Sequence, residues 1–181
     1  MQLVSVSRSE ISITLETTVA MVNAIDDGSL DARSSLVAAG FSRAALASSA
    51  SVDRLSGRLV ALAPLFRSLP DLSLDEAAAR VNEELTELPI APAVVDHDGV
   101  GPHLHWTPAT ATFDDQVIAD IVMALAQELC EEGLARFGRC AATDCDHLFY
   151  DATRNRSRRF CADPRCASRT HTADHRARRR S

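Results

Sequence analysis

Four of the five cysteines in this 181-residue chain fall in two equally spaced pairs, Cys140-x4-Cys145 and Cys161-x4-Cys166, with fifteen residues between the pairs. Thiolates in two local pairs suit a tetrahedral zinc ion, which takes four soft ligands gathered by a short intervening structure. The pattern predicts one structural Zn2+ held by Cys140, Cys145, Cys161 and Cys166. Four thiolates fill the coordination sphere, so no chemistry is expected at this metal and the chain reads as a non-enzyme. The intervening residues suit a hairpin, with 147–151 and 158–160 as strands and Thr153 to Ser157 as the turn. Phe149, Tyr150 and Phe160 would supply its few apolar contacts. A segment this small has almost no core of its own, so metal binding should supply folding energy. Cys130 stands apart in the last helix of the body and reads as a half-buried small side chain.

Charge is divided unevenly around that cluster. The whole chain carries a formal net charge of −6. Residues 138–181 hold 11 Arg against 5 Asp, a net of +6, and the remainder holds 8 Arg against 20 acidic residues, a net of −12. A basic tail on an acidic body points to a polyanionic partner for the tail. One basic group lies on the expected hairpin: Arg154, Arg156, Arg158 and Arg159. A second lies on a helix expected after Cys166, which no Pro or Gly interrupts: Arg169, Arg176, Arg178, Arg179 and Arg180. In that helix Arg169, Arg176 and Arg180 would share a stripe, opposite Ala167, Thr170, Ala173 and Ala177. Two basic elements joined by one zinc suit contacts with DNA phosphates and a groove. Local rather than net charge decides this, because screening confines the attraction to about 8 Å at physiological salt.

The segment also resembles a known family. Cys140-Ala-Ala-Thr-Asp-Cys145, Leu-Phe-Tyr-Asp at 148–151, Arg154-Asn155, Ser157-Arg158-Arg159-Phe160-Cys161 and Cys166-x-x-Arg169 are similar to the CGNR zinc finger. The resemblance implies a bacterial transcription regulator, stress-induced in some members, with this finger behind a mostly helical domain of the ABATE type. The name-giving tetrapeptide here reads Cys166-Ala167-Ser168-Arg169, so Cys and Arg are kept while Gly and Asn are replaced. Zinc binding is untouched by that change.

Other reactive residues read as bland. His97, His103 and His105 cluster in the body, where alternation would set Asp96, His103 and His105 on one face as a second metal or anion site, or as a polar solvent face. His147, His171 and His175 are the candidates for a treble-clef nuclease. No Gly-rich phosphate loop, Gly-x-Ser-x-Gly or His-Glu-x-x-His is present.

The elements that must position these residues follow from apolar periodicity. A first helix should bury Ile13, Val19, Val22 and Ile25 and end at Asp27-Gly28. A second should run from Ser42 to Leu69 with Leu46, Val52, Leu55, Leu59, Leu62 and Phe66 inward and a kink or interruption at Pro64. Ser73 and Glu76 form a capping box, opening a helix with Ala77, Val81, Leu85 and Leu88 inward. Val94 to His97 and His103 to Trp106 should pair as a β-hairpin about Asp98-Gly99. A last body helix, from about Thr112 to Arg136–Gly138, carries Val117, Ile121, Val122, Leu125 and Leu129.

The expected fold is therefore mainly α with a small β-hairpin: a helical sensor or dimerisation domain over 1–137 and a treble-clef-like four-cysteine finger over 138–181. The expected function is zinc-dependent DNA-binding transcriptional regulation, with DNA, a second copy of the chain and a small-molecule effector as partners. A protein-interaction module docking an acidic surface of the transcription machinery is the alternative. No apolar run reaches membrane-spanning length and Met1 to Glu10 shows no secretory signal, so a cytoplasmic location is expected.

Overall fold

The computed structural model describes residues 8–96 and 101–179. His97, the Asp98-Gly99 turn and Arg180 lie outside the described residues, as do the side chains of His175 and Ala177. The fold is mainly α with two small antiparallel hairpins.

Seven helices carry the described chain: α1 (Arg8–Asp26), α2 (Ala32–Ala38), α3 (Ser42–Leu46), α4 (Ser49–Ser68), α5 (Leu74–Thr86), α6 (Phe113–Glu132) and α7 (Pro164–Arg178). Helix α6 is the centre of the body and packs against α1, α4 and α5. Its buried residues include Ile118, Ala119 and Ala124 beside the expected stripe, so it is apolar over more than one face. That is what a helix surrounded by others requires. The capping box of α5 forms as read: the Ser73 hydroxyl accepts from the Glu76 N–H, and the Glu76 carboxylate accepts from the Ser73 N–H. No helix among the described residues is long and apolar enough to cross a membrane.

Several expectations are corrected. The stripe of α1 is Ile11, Leu15, Val19 and Val22, and Ile13 points outward. The stretch from Ser42 to Leu69 is two helices, because Ala47 is extended and the Ser48 hydroxyl caps the first turn of α4. Arg33 seals the end of α3 by donating to the carbonyls of Ala44 and Ala47. Leu46 sits at that break, 89% exposed, and joins no core. Pro64 does not interrupt α4, and it lies on the exposed side of the helix. Helix α2 is not among the expected elements; its signal is Asp31, whose carboxylate accepts from the Ser34 N–H as an N-cap. Helix α6 ends at Glu132, earlier than expected, because Gly133 adopts a φ of 65° and turns the chain. Cys130 is exposed, not half-buried.

The first hairpin pairs β1 (Ala93–Val95) with β2 (His103–His105) in the register Ala93↔His105, Val95↔His103. That register sets Ala93 and Val95, not Asp96, beside the two histidines. The second pairs β3 (Phe137–Arg139) with β4 (Leu148–Tyr150). The partner of β4 is thus the segment before Cys140, whereas 158–160 is not a strand. Gly138 permits the observed pairing: the Phe149 ring lies over it, where an added Cβ would come within 2.5 Å of the ring.

Candidate metal centre and basic finger

Hairpin β3–β4 delivers the first two cysteines. Cys140 follows β3 directly, and its N–H donates to the His147 carbonyl at 2.8 Å, closing the loop that holds Cys145. The second pair sits where the chain enters α7. Cys161 precedes the helix and Cys166 lies in its first turn, its N–H donating to the Asp163 carbonyl. Asp163 also accepts from the N–H and side chain of Arg165, which holds its carboxyl down to about 2. The two halves are joined by the Ala141 N–H donating to the Arg159 carbonyl at 2.8 Å. Knuckle, hairpin and ligand-bearing helix make a treble-clef-like arrangement.

The four Sγ atoms lie within 4.8 Å of one another. Cys145 and Cys161 are 3.8 Å apart, and Cys161 and Cys166 are 3.7 Å apart. A tetrahedron of four sulfurs about zinc, with bonds of about 2.3 Å, has edges of about 3.8 Å, whereas a disulfide needs about 2.05 Å. The site's acid chemistry fits a dication as well. Burial pushes the Cys140 thiol up, but backbone hydrogen bonds from Cys161 and Ala142 outweigh it and hold the group down to about 7. Burial and then the neighbouring thiols push Cys166 up to about 12. One thiolate forms readily and resists others beside it, a conflict that a bound zinc ion resolves. These four cysteines can hold one zinc ion. Among the described residues no other group of three or more Cys, His, Asp or Glu converges in this way.

The finger is seated on the body. Asn23 of α1 acts as one more strand residue: its Nδ2 donates to the Leu148 carbonyl at 3.0 Å and its Oδ1 accepts from the Leu148 N–H at 2.9 Å. Phe137, Leu148 and Tyr150 belong to the same apolar core as α1, α4 and α6. Arg136 lies 3.5 Å from the fully buried Glu128 and donates to the carbonyls of Asp151 and Thr153. His147 meets Asp27 at 3.1 Å, and Arg139 reaches Asp71 and the Arg67 carbonyl. The division at residue 137/138 therefore falls inside β3.

The arginines divide into two sets. Arg158 is a brace: it donates to the carbonyls of Tyr150 and Phe160 and faces Glu16 at 3.4 Å. Arg156 pairs with Glu132. Arg169 donates to Asp144 at 3.1 Å and to the Cys166 sulfur at 3.5 Å, so it neutralises part of the charge of a zinc thiolate site. Arg154, Arg159, Arg176 and Arg179 are exposed with no ion pair among the described residues, and Arg159 lies over the Phe160 ring; Arg178 is exposed as well. Among the histidines, His171 packs edge-on against Phe160, and His103 and His105 meet at 3.1 Å through their Nε2 atoms. Sequence reasoning missed Asn23 and Arg136; nothing in their spacing marks them.

No curated protein matches the chain. Residues 136–179, which begin with the bracing arginine and enclose all four cysteines, match the family model of the CGNR zinc finger.

Proposed function

We propose that the chain is a zinc-dependent DNA-binding transcriptional regulator whose finger contacts DNA and whose helical body senses a ligand or dimerises. The metal is structural and the protein is not an enzyme. The observation that carries this reading is the sorting of the arginines. Arg156, Arg158 and Arg169 engage carboxylates or carbonyls, while Arg154, Arg159, Arg176 and Arg179, exposed and with no ion pair among the described residues, lie on the 154–159 loop and the end of α7. One Zn2+ with four thiolates carries a net −2, which lowers the finger from +6 to +4. That leaves enough positive charge for a few phosphates beside an acidic body that repels them.

Binding of the zinc-loaded chain to duplex DNA across a salt series tests it. About four contacts predict a slope of log affinity on log salt near −4, at roughly 0.9 per phosphate. Arg176→Ala or Arg159→Ala flattens that slope by about one unit on every sequence. Arg158→Ala lowers finger stability instead. A slope near zero, or equal flattening by Arg158→Ala in a folded finger, removes the DNA reading.

A further inference from the structure

The body holds a cleft of about 640 Å3 between α1, α3, β2 and α6. That volume suits a small organic ligand. Three of the chain's eight aromatic side chains line it, Phe41, Trp106 and Phe113. Two polar groups of α6 also line it with unmet needs. The Asp120 carboxyl accepts no hydrogen bond from the described residues, and burial, opposed only by the charge of Arg43, pushes it up to about 7. The Gln127 Oε1 atom is buried with no hydrogen-bond partner. The Gln127 oxygen is a buried acceptor lacking a donor, which is costly, and the half-buried Asp120 carboxyl stays open to the cleft. Aromatic faces beside a carboxylate are the surroundings that an organic cation selects.

We propose that this cleft binds a small organic amine carrying an apolar ring, with its ammonium group taken by Asp120 and Gln127 and its ring by Phe41, Trp106 and Phe113. An ammonium offers three donors and no acceptor, which suits a carboxylate and an amide oxygen two turns apart on one helix. A carboxylate ligand is disfavoured, because Asp120 and Glu10 line the cleft against a single arginine, Arg43. The inference rests on the reading of the body as a sensor and is independent of whether the finger meets DNA.

Trp106 is the chain's one tryptophan, so its fluorescence reports the site directly. Zinc-loaded full-length protein is titrated with 2-phenylethylamine, 3-phenylpropionate and 2-phenylethanol. The amine is expected to give a saturable change and to bind most tightly. Asp120→Asn keeps the side chain's shape and is expected to weaken the amine roughly tenfold or more, the loss of one charge-assisted hydrogen bond. Amine affinity should also rise with pH through about 7 as Asp120 ionises. The other ionisable groups facing the cleft are Glu10, Arg43, His103 and His105, so the part of the rise due to Asp120 is the part absent from Asp120→Asn. If that variant does not fold, Gln127→Met, which removes the second acceptor, takes its place with the same expected direction. No saturable signal from the amine, equal or tighter binding of the carboxylate, or an unchanged amine affinity in the folded variant overturns the proposal. Since DNA is not present, failure here leaves the DNA reading standing, and failure of DNA binding leaves this site standing.

Discussion

The body and the finger are stabilised by different physics. The body buries Leu, Ile, Val and Phe from α1, α4, α5 and α6 in one continuous core. The finger's own buried cluster is little more than its ligands, Cys140, Ala142, Cys161 and Cys166 with Cys145 and Phe160 beside them. Yet the boundary between these regimes does not follow the finger's outline. Phe137, Leu148 and Tyr150 lie within the family match and are body residues by packing. A zinc module this small thus takes apolar burial from its neighbour for one half and metal for the other.

Removing the metal is the largest expected perturbation and the sharpest test of that division. Cys161→Ser should abolish stoichiometric zinc, whose binding supplies on the order of 10 kcal/mol to such modules. Helix α7 and the 140–145 knuckle should then melt. The amides of Phe137 and Leu148 should stay protected from hydrogen exchange, because Asn23 and the body core still hold them. Loss of protection at Leu148 along with α7 would show instead that the finger is one unit. Breaking the other half comes next in size. Arg136→Ala strips a guanidinium from the fully buried Glu128 and from two finger carbonyls, at a cost of about 3–5 kcal/mol in denaturant unfolding. Arg156→Ala, which removes only an exposed partner of Glu132, should cost less than about 1 kcal/mol. Similar costs for the two would mean that burial at Arg136 is not what seats the finger. Asn23→Ala leaves the Leu148 N–H and carbonyl without their partner and should cost about 2 kcal/mol while zinc stays bound.

What the sequence disclosed follows from how local each signal is. The four ligands are two short pairs, and the Ser73–Glu76 box spans four residues, so both are readable. The stripes of α4 and α6 are likewise local periodicities. The register of the finger's hairpin is not. Its strand before Cys140 contains Gly138, a residue that disfavours strands until Phe149 is known to lie across it. Asn23 and Leu148 are 125 residues apart, and no periodicity links them. Periodicity misplaces Ile13 and Leu46 for a related reason: an apolar residue fits a helical stripe on paper whether or not its side meets a neighbour. The arginines carry the same lesson in charge. Eleven of them give the finger its positive balance, but only the structure separates Arg158, turned onto carbonyls, from Arg176, exposed on α7.

An effect smaller than that of Asn23 concerns Asp151, where the two halves of the finger meet. Its carboxylate is buried and accepts from the Thr153 N–H and hydroxyl and from the Arg158 N–H at 2.7 Å. Burial alone would raise its pKa. The Thr153 hydroxyl, the Arg158 and Thr153 N–H groups and the Arg136 charge outweigh burial and hold it below the ordinary 3.8. A carboxyl depressed in the folded state stabilises fully above its unfolded pKa, and that contribution is lost as pH falls through the folded value. Asp151→Asn should therefore cost about 1–2 kcal/mol at neutral pH, and the gap between variant and wild type should close below the ordinary value of 3.8. Acid also protonates the cysteines and releases zinc, but that loss is common to both proteins and cancels in their difference. A gap that stays constant down the whole pH range would assign the cost to shape rather than charge. It would mean that the turn following β4 is held by its backbone, and that the carboxylate contributes nothing to the seam between metal and core.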